Sequence, residues 1–88
     1  MPRQLIKCTD IPYRQGFVEV MNVHKNHVNL EIWNVGADLD LGPLSVNLET
    51  LPDDAVQSNT EIELSLSQAK QLVDWLQSAI AKAENDTV

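Results

Sequence analysis

The chain contains one cysteine, Cys8, so it can form neither an internal disulfide framework nor a cysteine-rich zinc site. A lone thiol fits a reducing compartment, and a cytoplasmic protein is expected. Glycine is almost as scarce, with three in 88 residues, too few for a phosphate-cradling loop. No P-loop, glycine-rich dinucleotide turn, G-x-S-x-G elbow or H-E-x-x-H stretch is present. Nowhere does the sequence hold about 18 consecutive apolar residues, and the opening MPRQLIKCTDIPYRQG lacks an apolar signal core of about 7 to 15 residues. Neither a membrane span nor export by that route is expected.

Basic residues are also few. Six Lys and Arg stand against thirteen Asp and Glu, for a net charge of −7. The deficit is uneven. Arg3, Lys7, Arg14 and Lys25 outnumber Asp10 and Glu19 in the first 25 residues, whereas only Lys70 and Lys82 offset eleven acids in the remainder. Such a surface has two poles; it disfavours direct nucleic-acid binding by the bulk of the fold and favours self-association or a basic protein partner.

What the sequence does hold is a foldable pattern. The hydrophobic fraction is 43%, ordinary for a globular chain. A chain of this length buries only about 60 to 65% of its unfolded surface, so one modest core is expected and self-association would add to it. The span Thr60 to Asn85 changes period partway. Ile62, Leu64 and Leu66 alternate as in a strand, and Leu66, Ala69, Leu72, Val73, Leu76, Ile80 and Ala83 recur at helical spacing. A strand therefore runs into a helix whose N-cap is Ser65 or Ser67, and Ser65 with Gln68 has the spacing of a capping box. On that helix Ser67, Lys70, Gln71, Asp74, Ser78 and Lys82 fall opposite the apolar arc, and Trp75 lies at its boundary.

Upstream, Gly16 to Val23 and His27 to Val35 read as a hairpin around Lys25 and Asn26. A two-residue loop there pairs Met21 with Leu30 and Val23 with Val28 on one face, and Val20 with Glu31 and Val18 with Trp33 on the other. The clean alternation of Val28, Leu30 and Ile32 marks the first face as the core side. A third strand is expected to place Leu41 opposite Ile32, to pass through a β-bulge near Gly42-Pro43, and to continue through Leu44, Val46 and Leu48. Pro52 followed by Asp53, Asp54 and Ala55 predicts one short helical turn.

The expected fold is α+β: a single domain over 1–88, in which residues 1–15 form an arm or edge strand. Residues 16–66 form a β meander, and a C-terminal helix over 67–84 covers one face of the twisted antiparallel sheet, which has four to five strands in all.

No chemistry emerges from the spacing of polar groups. His24 and His27 flank the turn with only Cys8 as a further soft ligand, whereas zinc takes about four. Asp38, Asp40 and Glu49 mimic part of a calcium loop, but Pro43 stands where that loop requires glycine. Cys8 among apolar neighbours reads as a buried structural cysteine rather than a reactive one. A nonenzyme without metal or cofactor is expected.

Two surfaces remain. The first is an apolar patch of Val18, Val20, Trp33 and Val35 on the sheet face away from the helix, with Trp75 at the seam of the helix; it predicts a noncatalytic interaction or adaptor domain that forms a homodimer through these residues. The second is a carboxylate set, Glu31, Glu49, Glu61 and Glu63, which as an alternative predicts an acidic inhibitor of a nucleic-acid-binding enzyme. A small-ligand sensor with a pocket among Leu30, Val46 and Leu72 is the third possibility.

Overall fold

A computed structural model describes residues 4–41 and 48–85. Four antiparallel strands form one sheet in the order β1-β2-β3-β4: β1 Gln4–Cys8, β2 Gln15–Met21, β3 His27–Val35 and β4 Val56–Ser65. A helix, α1, spans Leu66–Glu84 and packs against β4 and β3. The protein is thus an α+β meander with one C-terminal helix. β1 is an edge strand that stops short of Pro12, whose ring instead opens a 3₁₀ turn over Pro12–Arg14.

The β4–α1 junction has no linker. Ser65 ends the strand and caps the helix: the Gln68 backbone N–H donates to Ser65 Oγ at 3.3 Å, and the Ser65 backbone N–H donates to Gln68 Oε1 at 2.9 Å. This reciprocal box satisfies two of the donors that every helix start leaves open. The expected turn after Pro52 is also present, as a 3₁₀ turn over Asp53–Ala55 in which the Ala55 N–H reaches Pro52 O at 3.0 Å.

The hairpin register differs from the sequence expectation by one residue. Gln15 pairs with Val35, Phe17 with Trp33, Val18 with Ile32 and Val20 with Leu30. The cause lies in the turn. A two-residue hairpin loop of the favoured type needs positive φ at both central positions, and a lysine side chain resists it. Only Asn26 adopts positive φ, at 63°, and the His27 N–H closes a turn onto His24 O at 3.3 Å. Residues 22–26 connect the two strands, and the chain reverses at His24, Lys25 and Asn26.

A one-residue shift exchanges faces. Trp33 sits beside Phe17, while Val18 and Val20 join Leu30 and Ile32 on the opposite side. The buried core lies on the Phe17 side. Phe17, Val35 and Leu41 are 1 to 2% exposed and form its centre, with Leu5, Trp33, Leu39, Leu48 and Leu51 packed around them. Its cover is the β3–β4 connection, not the helix. Gln15, itself buried, ties that connection down by donating from Nε2 to Gly36 O at 2.6 Å and Leu39 O at 2.7 Å.

The connection also departs from expectation. β3 pairs with β4, so Ile32 faces Thr60 rather than Leu41, and Leu48–Thr50 is a 3₁₀ turn rather than the end of a strand. The bulge expected near Gly42-Pro43, and the strand through Leu44 and Val46, fall outside the described residues. A register shift is present elsewhere, between Asn34 and Val35 against β4.

Candidate functional site

Alternation along each strand divides the side chains of the sheet between two faces of opposite character. One face takes Leu5 and Lys7 from β1, Gln15, Phe17, Glu19 and Met21 from β2, then Asn29, Glu31, Trp33 and Val35 from β3, and Asn59, Glu61 and Glu63 from β4. The other takes Ile6 and Cys8, Val18 and Val20, then Val28, Leu30, Ile32 and Asn34, and Ser58, Thr60, Ile62 and Leu64. All ionisable carboxylates and amines of the strands lie on the first face. The second carries none.

That second face is open. Ile6 is 59% exposed, Ile62 55% and Ile32 45%, while Val18, Val20, Val28 and Leu30 are half-buried. The apolar stripe of α1 is open as well: Leu66, Val73, Leu76 and Ile80 are each about half exposed, and only Ala69 and Leu72 are partly covered. Trp75, at the boundary of that stripe, is 64% exposed. Monomeric soluble proteins rarely leave a contiguous apolar surface of this kind uncovered.

Of the residues expected to form an apolar patch, Val18 and Val20 lie on this open face and Trp75 near the helix stripe. Trp33 and Val35 do not: the register turns both toward the core, where Val35 is buried and Trp33 half-buried against Phe17. In their place stand Ile6, Ile32 and Ile62, with Val73, Leu76 and Ile80 on the helix. The alternation of Leu30 with Ile32 and of Ile62 with Leu64 carries a signal for them, but a two-residue hairpin loop would put that face under the helix. Cys8 likewise differs from expectation, being exposed on the charge-free face with its Sγ 3.8 Å from Ile6 O.

The carboxylates gather on the core face beyond the apolar cluster. Glu19 stands opposite Glu31, and Glu31 opposite Glu61, giving a row of three across adjacent strands. Glu19, not anticipated in this set, is buried. Like charges facing one another destabilise a sheet, and amide donors offset this here. Asn29 Nδ2 donates to Glu61 at 3.1 Å and Asn59 Nδ2 to Glu31 at 3.2 Å, while His24 Nδ1 lies 2.7 Å from Glu63 Oε1. Glu49 is separate, on the 3₁₀ turn at Leu48–Thr50. Each of Glu31, Glu61 and Glu63 thus has an intrachain partner.

Comparison with protein-family models, curated proteins and solved structures finds no match. Among the described residues no group of three His, Cys, Asp or Glu side chains could hold a metal ion, and no helix is long and apolar enough to cross a membrane. Shallow concavities among the described residues include ones near Gly36 and Pro52, near Cys8 and Trp33, and near Lys7 and Asp10. Of the residues expected to line a ligand pocket, Leu30 and Leu72 border none of these, and Val46 lies outside the described residues.

Proposed function

We propose that this protein is a noncatalytic interaction domain that works as a homodimer closed through its charge-free sheet face. The carrying observation is the imbalance of apolar burial. Among the described residues Phe17, Val35, Leu41 and Ala55 are the buried apolar side chains, whereas Ile6, Ile32, Ile62, Leu66, Val73, Leu76 and Ile80 are all exposed. Fully burying one such side chain is worth about 1.5–3 kcal/mol, and since each is about half exposed, covering the open surface adds roughly half of that per side chain.

Charge selects a second copy as the cover. A chain of net charge −7 repels itself unless the approaching surfaces are neutral and the acids point away. The strand positions of the open face meet that condition, because Glu19, Glu31, Glu61 and Glu63 all project from the other side. We read the protein as cytoplasmic, consistent with its single exposed thiol.

Sedimentation equilibrium of the wild type and of Ile32→Asp tests the proposal. A dimer that the substitution converts to monomer is expected, and a wild type that stays monomeric at about 100 μM would overturn it. An acidic inhibitor of a nucleic-acid-binding enzyme is the second possibility, favoured by the Glu19–Glu31–Glu61 row. It ranks below the dimer because Asn29, Asn59 and His24 already engage carboxylates of that cluster.

A further inference from the structure

We infer that the two copies exchange helices: the apolar stripe of each α1 lies across the charge-free sheet face of its partner. This inference rests on the self-association proposed above and specifies what covers the face. Its starting point is that one chain exposes both halves of a helix-on-sheet contact at once. Val73, Leu76 and Ile80 of the stripe are about half exposed, and so are Ile6, Ile32 and Ile62 of the sheet face.

The shape of the chain shows why they cover so little of each other within one copy. Four strands at about 4.8 Å spacing make a sheet roughly 19 Å wide. The molecule nevertheless measures 37 × 36 × 22 Å, and its radius of gyration is 14.7 Å against about 12 Å for a compact chain of this length. A helix about 28 Å long that touches β4 and β3, the two strands at its own root, accounts for an extended outline. Because Ser65 is both the last strand residue and the helix cap, no linker lets α1 fold back.

Size and charge fit a second copy. The sheet face offers a footprint on the order of 400 Å² and the helix stripe roughly 280 Å², which together approach the ~800 Å² per partner of a stable interface. Reciprocal exchange buries both on each protomer, and it is self-complementary, as a two-fold dimer requires. The helix side opposite the stripe carries Lys70, Asp74 and Lys82, so only the stripe suits a neutral sheet face.

Two full-length variants test the exchange by sedimentation equilibrium: Leu76→Lys/Ile80→Lys on the helix and Ile32→Asp/Ile62→Asp on the sheet. Each alone is expected to dimerise at least a hundredfold more weakly than wild type. Their equimolar mixture is expected to regain dimer mass and wild-type helix content by circular dichroism, since the introduced lysines meet the introduced aspartates in one contact and the other contact is intact. A helix variant that dimerises like wild type while the sheet variant does not would overturn the exchange and leave sheet-face association standing. Two monomeric variants that fail to recover on mixing would also overturn it, and a monomeric wild type would remove both proposals. Should the lysine pair lower helix content on its own and in the mixture, Val73→Gln/Ile80→Gln replaces it, with at least tenfold weaker dimerisation expected and wild-type affinity counting against the exchange.

Discussion

Val18 and Ile32 stand directly opposite each other across β2 and β3, on the face that carries no charge. Ile32 is 45% exposed despite lying on an interior strand of the sheet. Coupled folding and association should therefore show in stability. The thermal midpoint of the wild type is expected to rise with protein concentration, because association stabilises the folded state by mass action. For Ile32→Asp the midpoint is expected to be independent of concentration, which differential scanning calorimetry across a hundredfold dilution series reads directly.

The two faces should respond differently to substitution. Phe17, 2% exposed at the centre of the core, is expected to cost about 3–5 kcal/mol as Phe17→Ala, a large part of the stability of a small domain. Urea denaturation monitored at one protein concentration measures this. A loss under about 1 kcal/mol would show that the core does not sit where Phe17, Val35 and Leu41 meet.

Gly16 permits the close approach of β2 to β3. A Cβ at this position would lie 1.8 Å from the Trp33 carbonyl oxygen, a backbone atom that cannot swing aside. Gly16→Ala is expected to lose about 1–3 kcal/mol, because the added methyl forces β2 away from the β3 backbone. Equilibrium unfolding and the amide exchange of Trp33 and Asn34 would register it together.

Ser65→Ala removes the cap at the strand-to-helix junction. The expected cost is about 1 kcal/mol, with fraying of the first helical turn visible in circular dichroism. Ser65→Asp should retain most of the stability, since its carboxylate can accept the same backbone hydrogen bond and favours the helix N-terminus.

Salt separates the two candidate surfaces. Association through the charge-free face should be unchanged or slightly tighter between about 0.05 and 0.5 M salt, because screening relieves repulsion between chains of net charge −7. Binding of a basic peptide to the Glu31, Glu61 and Glu63 side should weaken over the same range. Isothermal calorimetry of both processes distinguishes them, and dimerisation that fails in high salt would count against an apolar interface.

Much of this architecture was legible in local signals. The period change around Leu66 located the helix, and of the two cap candidates, Ser65 and Ser67, the structure uses Ser65, with the Gln68 spacing of a capping box. His27 to Val35 alternated well enough to give β3 its observed bounds, and Pro52 with two acids gave the 3₁₀ turn at Asp53–Ala55. The candidate surface was only partly legible. The open placement of Val18, Val20 and Trp75 agrees with the sequence pattern, whereas Trp33 and Val35 face the core because the two-residue loop that the spacing suggests does not form. Lys25 held the warning, since a lysine resists the positive φ that a two-residue loop would need there.

By itself, then, the sequence determined which segments are extended, which is helical and where the helix starts, because propensity, capping and hydrophobic period act over a few neighbouring residues. Which face of β2 meets which face of β3 was decided only in the tertiary structure. Both faces of β2 carry apolar side chains, Phe17 and Met21 on one and Val18 and Val20 on the other, so burial alone did not choose between registers one residue apart. The backbone conformation at Asn26 chose, and the β3–β4 connection, held by Gln15, then covered the Phe17 side. Ile6, Ile32 and Ile62 were left facing outward with the helix stripe, and that surface is the one through which we propose the protein acts.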